Sequence, residues 1–223
     1  NKFEFEKVAV ELTRVLKDGG VLVWVIGDET KNGSESGTGY RQAIYFLDYC
    51  NLKLHDSMVY LKNTTTYPAK PNGNRYSQNF EMMYVFSKGK IRTANLICDK
   101  PNRWYGTTNF GQKTDRDKDD NLVPVKKFKP IPEYSPRTNI WKYVTANGYS
   151  TEDKFAHVHP AIFPEQLASD HILSWSNEGD IVYDPFSGAG TTLKMAKKLN
   201  RNYIGSEIVK EYFELIEKRL RST

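Results

Sequence analysis

The stretch from Ile181 to Ile208 most constrains what this chain can fold into. Apolar residues Ile181-Val-Tyr183 run into Asp184-Pro-Phe-Ser-Gly-Ala-Gly190, helix-forming residues follow from Thr191 to Leu199, and Tyr203 to Ser206 lead to Glu207. Strand, glycine turn, helix, strand and acid make a βαβ unit of the nucleotide-binding kind. Gly188 and Gly190 permit a sharp bend and a close ligand, while Thr191 and Thr192 open the helix. Glu207 stands at the carboxyl end of the second strand, where such folds bind the ribose hydroxyls. Position 193 is Leu, where a dinucleotide fingerprint has glycine, and no Lys-Ser/Thr follows the turn as a phosphate-cradling loop requires. What remains is a nucleoside without phosphates, a description that S-adenosylmethionine fits. A purely structural glycine turn is the other reading of these residues.

Elsewhere the periodicities predict a mixed α/β chain. Val8, Leu12, Val15 and Leu16 follow helical spacing until Gly19-Gly20, and Val21 to Ile26 is apolar on both faces, as in a central, helix-covered strand. A polar loop, Asn32 to Gly39, leads to a helix over about Tyr40–Tyr49. Leu52–Leu61 and Phe80–Ser87 alternate and read as a strand hairpin. His159-Pro-Ala-Ile-Phe-Pro164 precedes a helix over Glu165–Trp175, and a last helix covers Lys210–Leu220.

Between Lys88 and Thr145 no period is sustained, and 13 Lys and Arg face 6 Asp and Glu, a net of +7 in a chain whose total is +5. The basic excess is therefore concentrated in one irregular stretch, which suits an anionic partner; a solvated linker is the blander reading. Cys50 and Cys98 are too few for a disulfide framework or a multi-thiolate zinc site, so a reducing, cytoplasmic setting is expected. Neither His157 nor His159 has a partner at metal spacing, and no metal is expected. The longest apolar run, Val21–Ile26, is too short to span a bilayer.

Several of these segments together resemble one family. Tyr183-Asp-Pro-Phe-Ser-Gly-Ala-Gly-Thr-Thr192, His159-Pro-Ala-Ile-Phe-Pro-Glu-Gln-Leu167, Tyr203-Ile-Gly-Ser-Glu-Ile208, Leu12 to Asp28 and Phe80 to Gly89 are similar to the motifs of DNA amino-methyltransferases in their permuted "beta" order. The resemblance implies a Rossmann-like methyltransferase sheet and S-adenosylmethionine as cofactor. It implies a first catalytic half (1–87), a target-recognition insertion (88–156) and a cofactor-binding half (157–223). By position, Asp184, Pro185, Phe186, Ser187, Gly188, Gly190, Thr191 and Thr192 would line the cofactor. Glu207 would take the ribose, and His159, Pro160, Ala161, Phe163 and Pro164 would lie against the methionine end. Double-stranded DNA is the implied partner, and a homodimer is left open.

Such enzymes move a methyl group to an exocyclic amine of a flipped base, adenine N6 or cytosine N4. A short Asp/Asn/Ser-Pro-Pro-aromatic loop holds the target amine. No such tetrapeptide occurs in the 223 residues. In the family it lies just upstream of the helix that begins near Phe5, on a strand between those of Ile181 and Val21. A sheet lacking that strand would leave two open edges, so the expectation is further N-terminal sequence of roughly 30 to 60 residues. Candidate DNA contacts are Asn32, Thr38, Arg41 and Arg75 in loops at strand ends, which equally suit turn and helix-cap chemistry. Further candidates are Arg103, Lys126, Lys127 and Lys129 in the basic stretch, with Trp104, Tyr105, Phe110 and Trp141 interleaved as stacking groups or as the small core of the insertion. The rival readings are a non-catalytic DNA-binding relative, or methylation of RNA or protein.

Overall fold

The computed structural model describes residues 3–63, 76–108, 114–124, 129–145, 150–159 and 162–223. The chain divides into two compact units, one made of Asn1–Asn95 with Asn139–Thr223 and the other of Leu96–Thr138.

In the larger unit, α1 (Phe5–Val15) leads to β1 (Val21–Ile26), and a small hairpin, β2 (Thr30–Lys31) and β3 (Ser34–Glu35), precedes α2 (Thr38–Asp48). The hairpin of β4 (Lys53–Lys62) and β5 (Phe80–Ser87) is antiparallel, with Met58 opposite Met83. β5 also pairs antiparallel with β1, Trp24 opposite Tyr84, and the sheet order is β1-β5-β4-β10. Alternation sorts the side chains of β1. Leu22, Trp24 and Ile26 join Ala9, Phe46 and Phe86 under α1 and α2, whereas Val21, Val23 and Val25 join Met83, Val85 and Leu167 on the other face.

β1 is half-buried along its whole length and, among the described residues, pairs only with β5, so its other edge has no partner there. One expectation changes. β10 (Ile140–Tyr143), which the sequence reading assigns to the insertion, pairs parallel with β4 and buries Trp141 and Tyr143 in the main core. The phenol of Tyr143 donates to Asp170 at 2.7 Å. Trp141 is therefore a core residue. Its alternating burial fits the pleat, but four residues are too few to carry a period in the sequence.

The second sheet contains β11 (Ile181–Asp184) and β12 (Asn202–Gly205), which are parallel, with α4 (Thr191–Lys198) between them and α5 (Lys210–Arg221) after them. No backbone ladder joins it to the first sheet among the described residues. α3 (Glu165–Trp175) belongs to both packings: Leu167 enters the core of the first sheet, while Ala168 and Ile172 meet Met195 and Ala196 of α4. The smaller unit holds β6 (Cys98–Pro101) with β9 (Tyr134–Pro136) and β7 (Thr114–Arg116) with β8 (Leu122–Pro124), both antiparallel. Its internal ties include the Arg137–Asp99 ion pair at 2.6 Å and the hydrogen bonds of Asn102 to Pro132 and Ser135. No helix among the described residues is long and apolar enough to cross a membrane.

α3 carries a buried histidine. His171 accepts from Trp175 Nε1 at 3.2 Å and contacts the Met83 sulfur, and burial pushes its pKa down from 6.5 to about 4, against a smaller opposing effect of Asp170. The folded imidazole stays neutral while the unfolded one gains a proton below its ordinary pKa. This contribution is complete above pH 6.5 and is lost as the pH falls toward 4, by roughly 3 kcal/mol for a shift of this size. Urea unfolding at pH 7 and pH 4.5 should show that loss, and His171→Gln should shrink the difference. An unchanged pH dependence in the variant would remove His171 as its source.

Candidate active site at the glycine turn

Asp184 ends β11 and folds its own carboxylate back over the turn. Its Oδ1 accepts the Phe186 N–H at 3.0 Å, Thr192 donates to it, and burial nevertheless raises its pKa, with the nearby Glu207 charge adding to the rise. The Ser187 N–H donates to the Ser206 carbonyl at 3.0 Å, tying the turn to the end of β12. Gly188 has φ +49° and Gly190 φ +76°, conformations that a side chain disfavours. Space reinforces this constraint. A Cβ at Gly188 would stand 3.0 Å from His159 Nε2, and one at Gly190 would stand 2.9 Å from Ile216 Cγ1 of α5.

Glu207 is engaged from both sides. Its Oε2 accepts the Gly188 N–H at 2.8 Å and its Oε1 the Val209 N–H at 2.8 Å, so each oxygen keeps lone pairs for an incoming hydroxyl. His159 closes the 3-10 turn Lys154–Val158, and its ring meets Tyr212 edge-on at 4.5 Å while lying over Gly188. Phe186 is 51% exposed, with its ring beside Phe3 at 5.5 Å and Trp24 at 6.5 Å.

The structure thus brings Asp184, Phe186, Ser187, Gly188, Gly190, Thr191, Thr192, Glu207 and His159 together at one turn. Phe163, partly buried, packs against two core clusters, and Pro164 is buried at the start of α3. Pro160 and Ala161 lie outside the described residues.

The described DNA candidates belong to both units. Asn32 is at the exposed β2–β3 tip with φ +51°, and Arg41 is exposed on α2. Thr38 begins α2 and donates its N–H to Asp28 Oδ1 at 3.0 Å. Asp28 also accepts from Gly37 N–H, Glu29 N–H and the Ser36 hydroxyl; burial raises its pKa, but these donors outweigh it and leave it lowered. Thr38 is thereby a helix-start residue of a caged loop. In the smaller unit Arg103 lies over the Trp104 ring at 5.2 Å, Tyr105 is exposed and so is Lys129. Arg75, Phe110, Lys126 and Lys127 lie outside the described residues. Among the described residues no group of three or more His, Cys, Asp or Glu is placed to hold a metal ion.

The family described as DNA methylase, grouping N6 and N4 enzymes, matches residues 3–218. This chain belongs to the N6/N4 DNA methylase family. The orphan methyltransferase M.BamHII of Bacillus amyloliquefaciens is 51% identical over 220 residues, covering 99% of this chain and 82% of that protein. The type II methyltransferase M.HinfI of Haemophilus influenzae is 37% identical over 95% of this chain, which spans 49% of that relative. Among solved structures, the cytosine-N4-specific PvuII DNA methyltransferase superposes with a TM-score of 0.66 at 20% identity, over 96% of this chain and 68% of that one. The M1.HpyAVI–SAM complex does so with a TM-score of 0.59 at 23% identity, over 98% and 83%. These likenesses place the methylase among mixed α/β methyltransferase folds.

Sequence reasoning missed the support beneath the turn of this methylase. Tyr212, Ile216 and Arg219 follow one another on a single face of α5 and meet His159, Gly190 and the Ala189 carbonyl in turn. Their i, i+4, i+7 spacing was the available signal. Gly190→Ala should lower stability by about 2–4 kcal/mol, combining a left-handed alanine with an overpacked contact against Ile216. Chemical denaturation measures it, and a loss below the noise would show that α5 does not press on the turn.

Proposed function

We propose that this chain serves site-specific methylation of DNA, in which an exocyclic amine of a flipped base, adenine N6 ahead of cytosine N4, receives a methyl group from S-adenosylmethionine. The observation that carries the cofactor assignment is the pair of carboxylates at the glycine turn. Asp184 and Glu207 set carboxyl oxygens at the turn, which accept from hydroxyl groups and offer a phosphate no donor. That donor set fits a nucleoside bearing a sulfonium and an ammonium. When bound, the cofactor supplies an electrophilic methyl group.

The residues of this chain then have separate tasks. Glu207 offers its free lone pairs to the ribose hydroxyls while its other contacts fix its orientation. Asp184 holds the turn open by accepting the Phe186 N–H, and Phe186 presents an exposed ring to the ligand. His159 walls the turn over Gly188. The basic stretch around Arg103 and Lys129, with Trp104 and Tyr105 exposed, supplies phosphate contacts and stacking faces for duplex DNA.

The permuted motif order and a catalytic strand outside these 223 residues complete the proposal. Two features support the outside strand: no Asp/Asn/Ser-Pro-Pro-aromatic tetrapeptide occurs in the chain, and both β1 and β11 have an edge without a partner among the described residues. On this reading the present chain binds cofactor and DNA without completing transfer. A strand inserted between β1 and β11 would bring the target amine to the turn.

Incubating a protein extended upstream of residue 1 with duplex DNA and methyl-labelled cofactor should place label in DNA. Tight, salt-sensitive binding without label would favour a non-catalytic relative, and label only in RNA or protein would favour the third reading. In calorimetry Glu207→Ala and Gly188→Val should both weaken cofactor binding; undiminished affinity in both would refute the site. Replacing Lys126, Lys127 and Lys129 with Ala should weaken DNA binding and flatten its salt dependence, and an unchanged slope would exclude them as phosphate contacts.

A further inference from the structure

A four-charge cluster is buried behind the glycine turn. Arg219 of α5 is fully buried and all five of its N–H groups are matched by acceptors. Nε donates to Asp153 Oδ2 at 2.8 Å, Nη1 to the Ala189 carbonyl at 2.6 Å and to Thr191 Oγ1 at 3.1 Å, and Nη2 to Glu165 Oε1 at 2.8 Å and to Thr151 Oγ1 at 3.0 Å. Lys194 of α4, 3% exposed, donates to the same two carboxylates at 2.7 and 2.8 Å. Two cations face two anions, which is how a site this deep avoids an uncompensated charge. Burial raises the Asp153 pKa, but Lys194 and Arg219 outweigh it and hold the carboxyl below its ordinary value.

The cluster joins pieces that are remote in sequence. Asp153 accepts the Ala156 N–H through its carbonyl and so begins the 3-10 turn that ends at His159. Glu165 is the first residue of α3, and Ala189 is the middle of the glycine turn. Arg219 therefore touches both walls of the proposed cofactor site: the turn itself, through Ala189 and Thr191, and the His159 segment, through Asp153. Lys194 touches only the carboxylates among the contacts above. On the other side, Glu207 holds the turn by the Gly188 N–H at 2.8 Å.

We infer that Arg219 is a positioning residue for the cofactor site: it never meets the ligand, but its hold on the Ala189 carbonyl and on Asp153 sets the turn and the His159 wall in their binding arrangement. The inference rests on the turn being the cofactor site. Its physical basis is preorganisation. A turn with two glycines in left-handed conformations has many alternatives, and two charge-assisted anchors on opposite sides remove them before the ligand arrives.

Two charge-balanced pairs test it in the 223-residue chain. Arg219→Met with Asp153→Asn removes the anchor, whereas Lys194→Met with Glu165→Gln removes as many buried charges and leaves Arg219 on Ala189. The first pair should speed amide hydrogen exchange over residues 188–191 and weaken S-adenosylmethionine binding by about tenfold, the equivalent of one lost charge-assisted hydrogen bond. The second should lower the melting temperature comparably and keep the dissociation constant within about twofold. Arg219→Lys, which retains the charge but not the fork, should behave like the first pair in exchange and binding, and stands in for it if that pair does not fold. Equal effects of both pairs on the turn, or none from either, would overturn the inference. Failure of the parent to bind the cofactor would count against the site reading alone, because exchange at the turn still decides the role of Arg219.

Discussion

The larger unit depends on one helix that belongs to two cores. β1 and β11 share no ladder among the described residues, so backbone hydrogen bonding does not make the two sheets one body. Side-chain packing does so through α3, where Leu167 fills the core of the first sheet and Ala168 and Ile172 fill that of the second. Phe163, just before the helix, contacts both clusters. A helix buried on nearly every side must satisfy its polar side chains internally. Asp170 accepts from Tyr143 and Gln166, Ser174 and Ser176 donate to carbonyls one turn back, and His171 stays neutral against Trp175 and Met83.

The position of α3 then decides the position of the site. Pro164 stands just before its first turn, and Glu165 in that turn shares Arg219 and Lys194 with Asp153. The glycine turn is held from one side by Glu207 and from the other by α5. Within that frame Asp184 and Glu207 set carboxyl oxygens at the turn, where the phosphate-binding turns that the same backbone pattern makes elsewhere offer N–H groups.

Much of this was legible in one dimension. The glycine pattern after Ile181–Tyr183, the acid at Glu207, the β4–β5 hairpin and the helices over Glu165–Trp175 and Lys210–Arg221 all follow from local rules of period and punctuation. Trp141 departs from the local pattern for a tertiary reason: its neighbours in sequence are irregular, yet its partner strand is β4, some eighty residues earlier. The apolar faces of β1 predict cover on both sides, and the structure shows it. Apolar faces report what covers a strand above and below, and they say nothing of its edges.

The sequence by itself determined the βαβ unit, the cofactor class its turn can hold and the concentration of positive charge between Lys88 and Thr145, because each depends on residues that are neighbours along the chain. Only the tertiary structure decided that Trp141 is core, that the two sheets meet through α3, and that Arg219 lies beneath the turn bound to Asp153, Glu165 and Ala189. Those facts join residues dozens of positions apart. Burial selects such pairs by volume and charge balance, and neither leaves a periodic mark in the sequence.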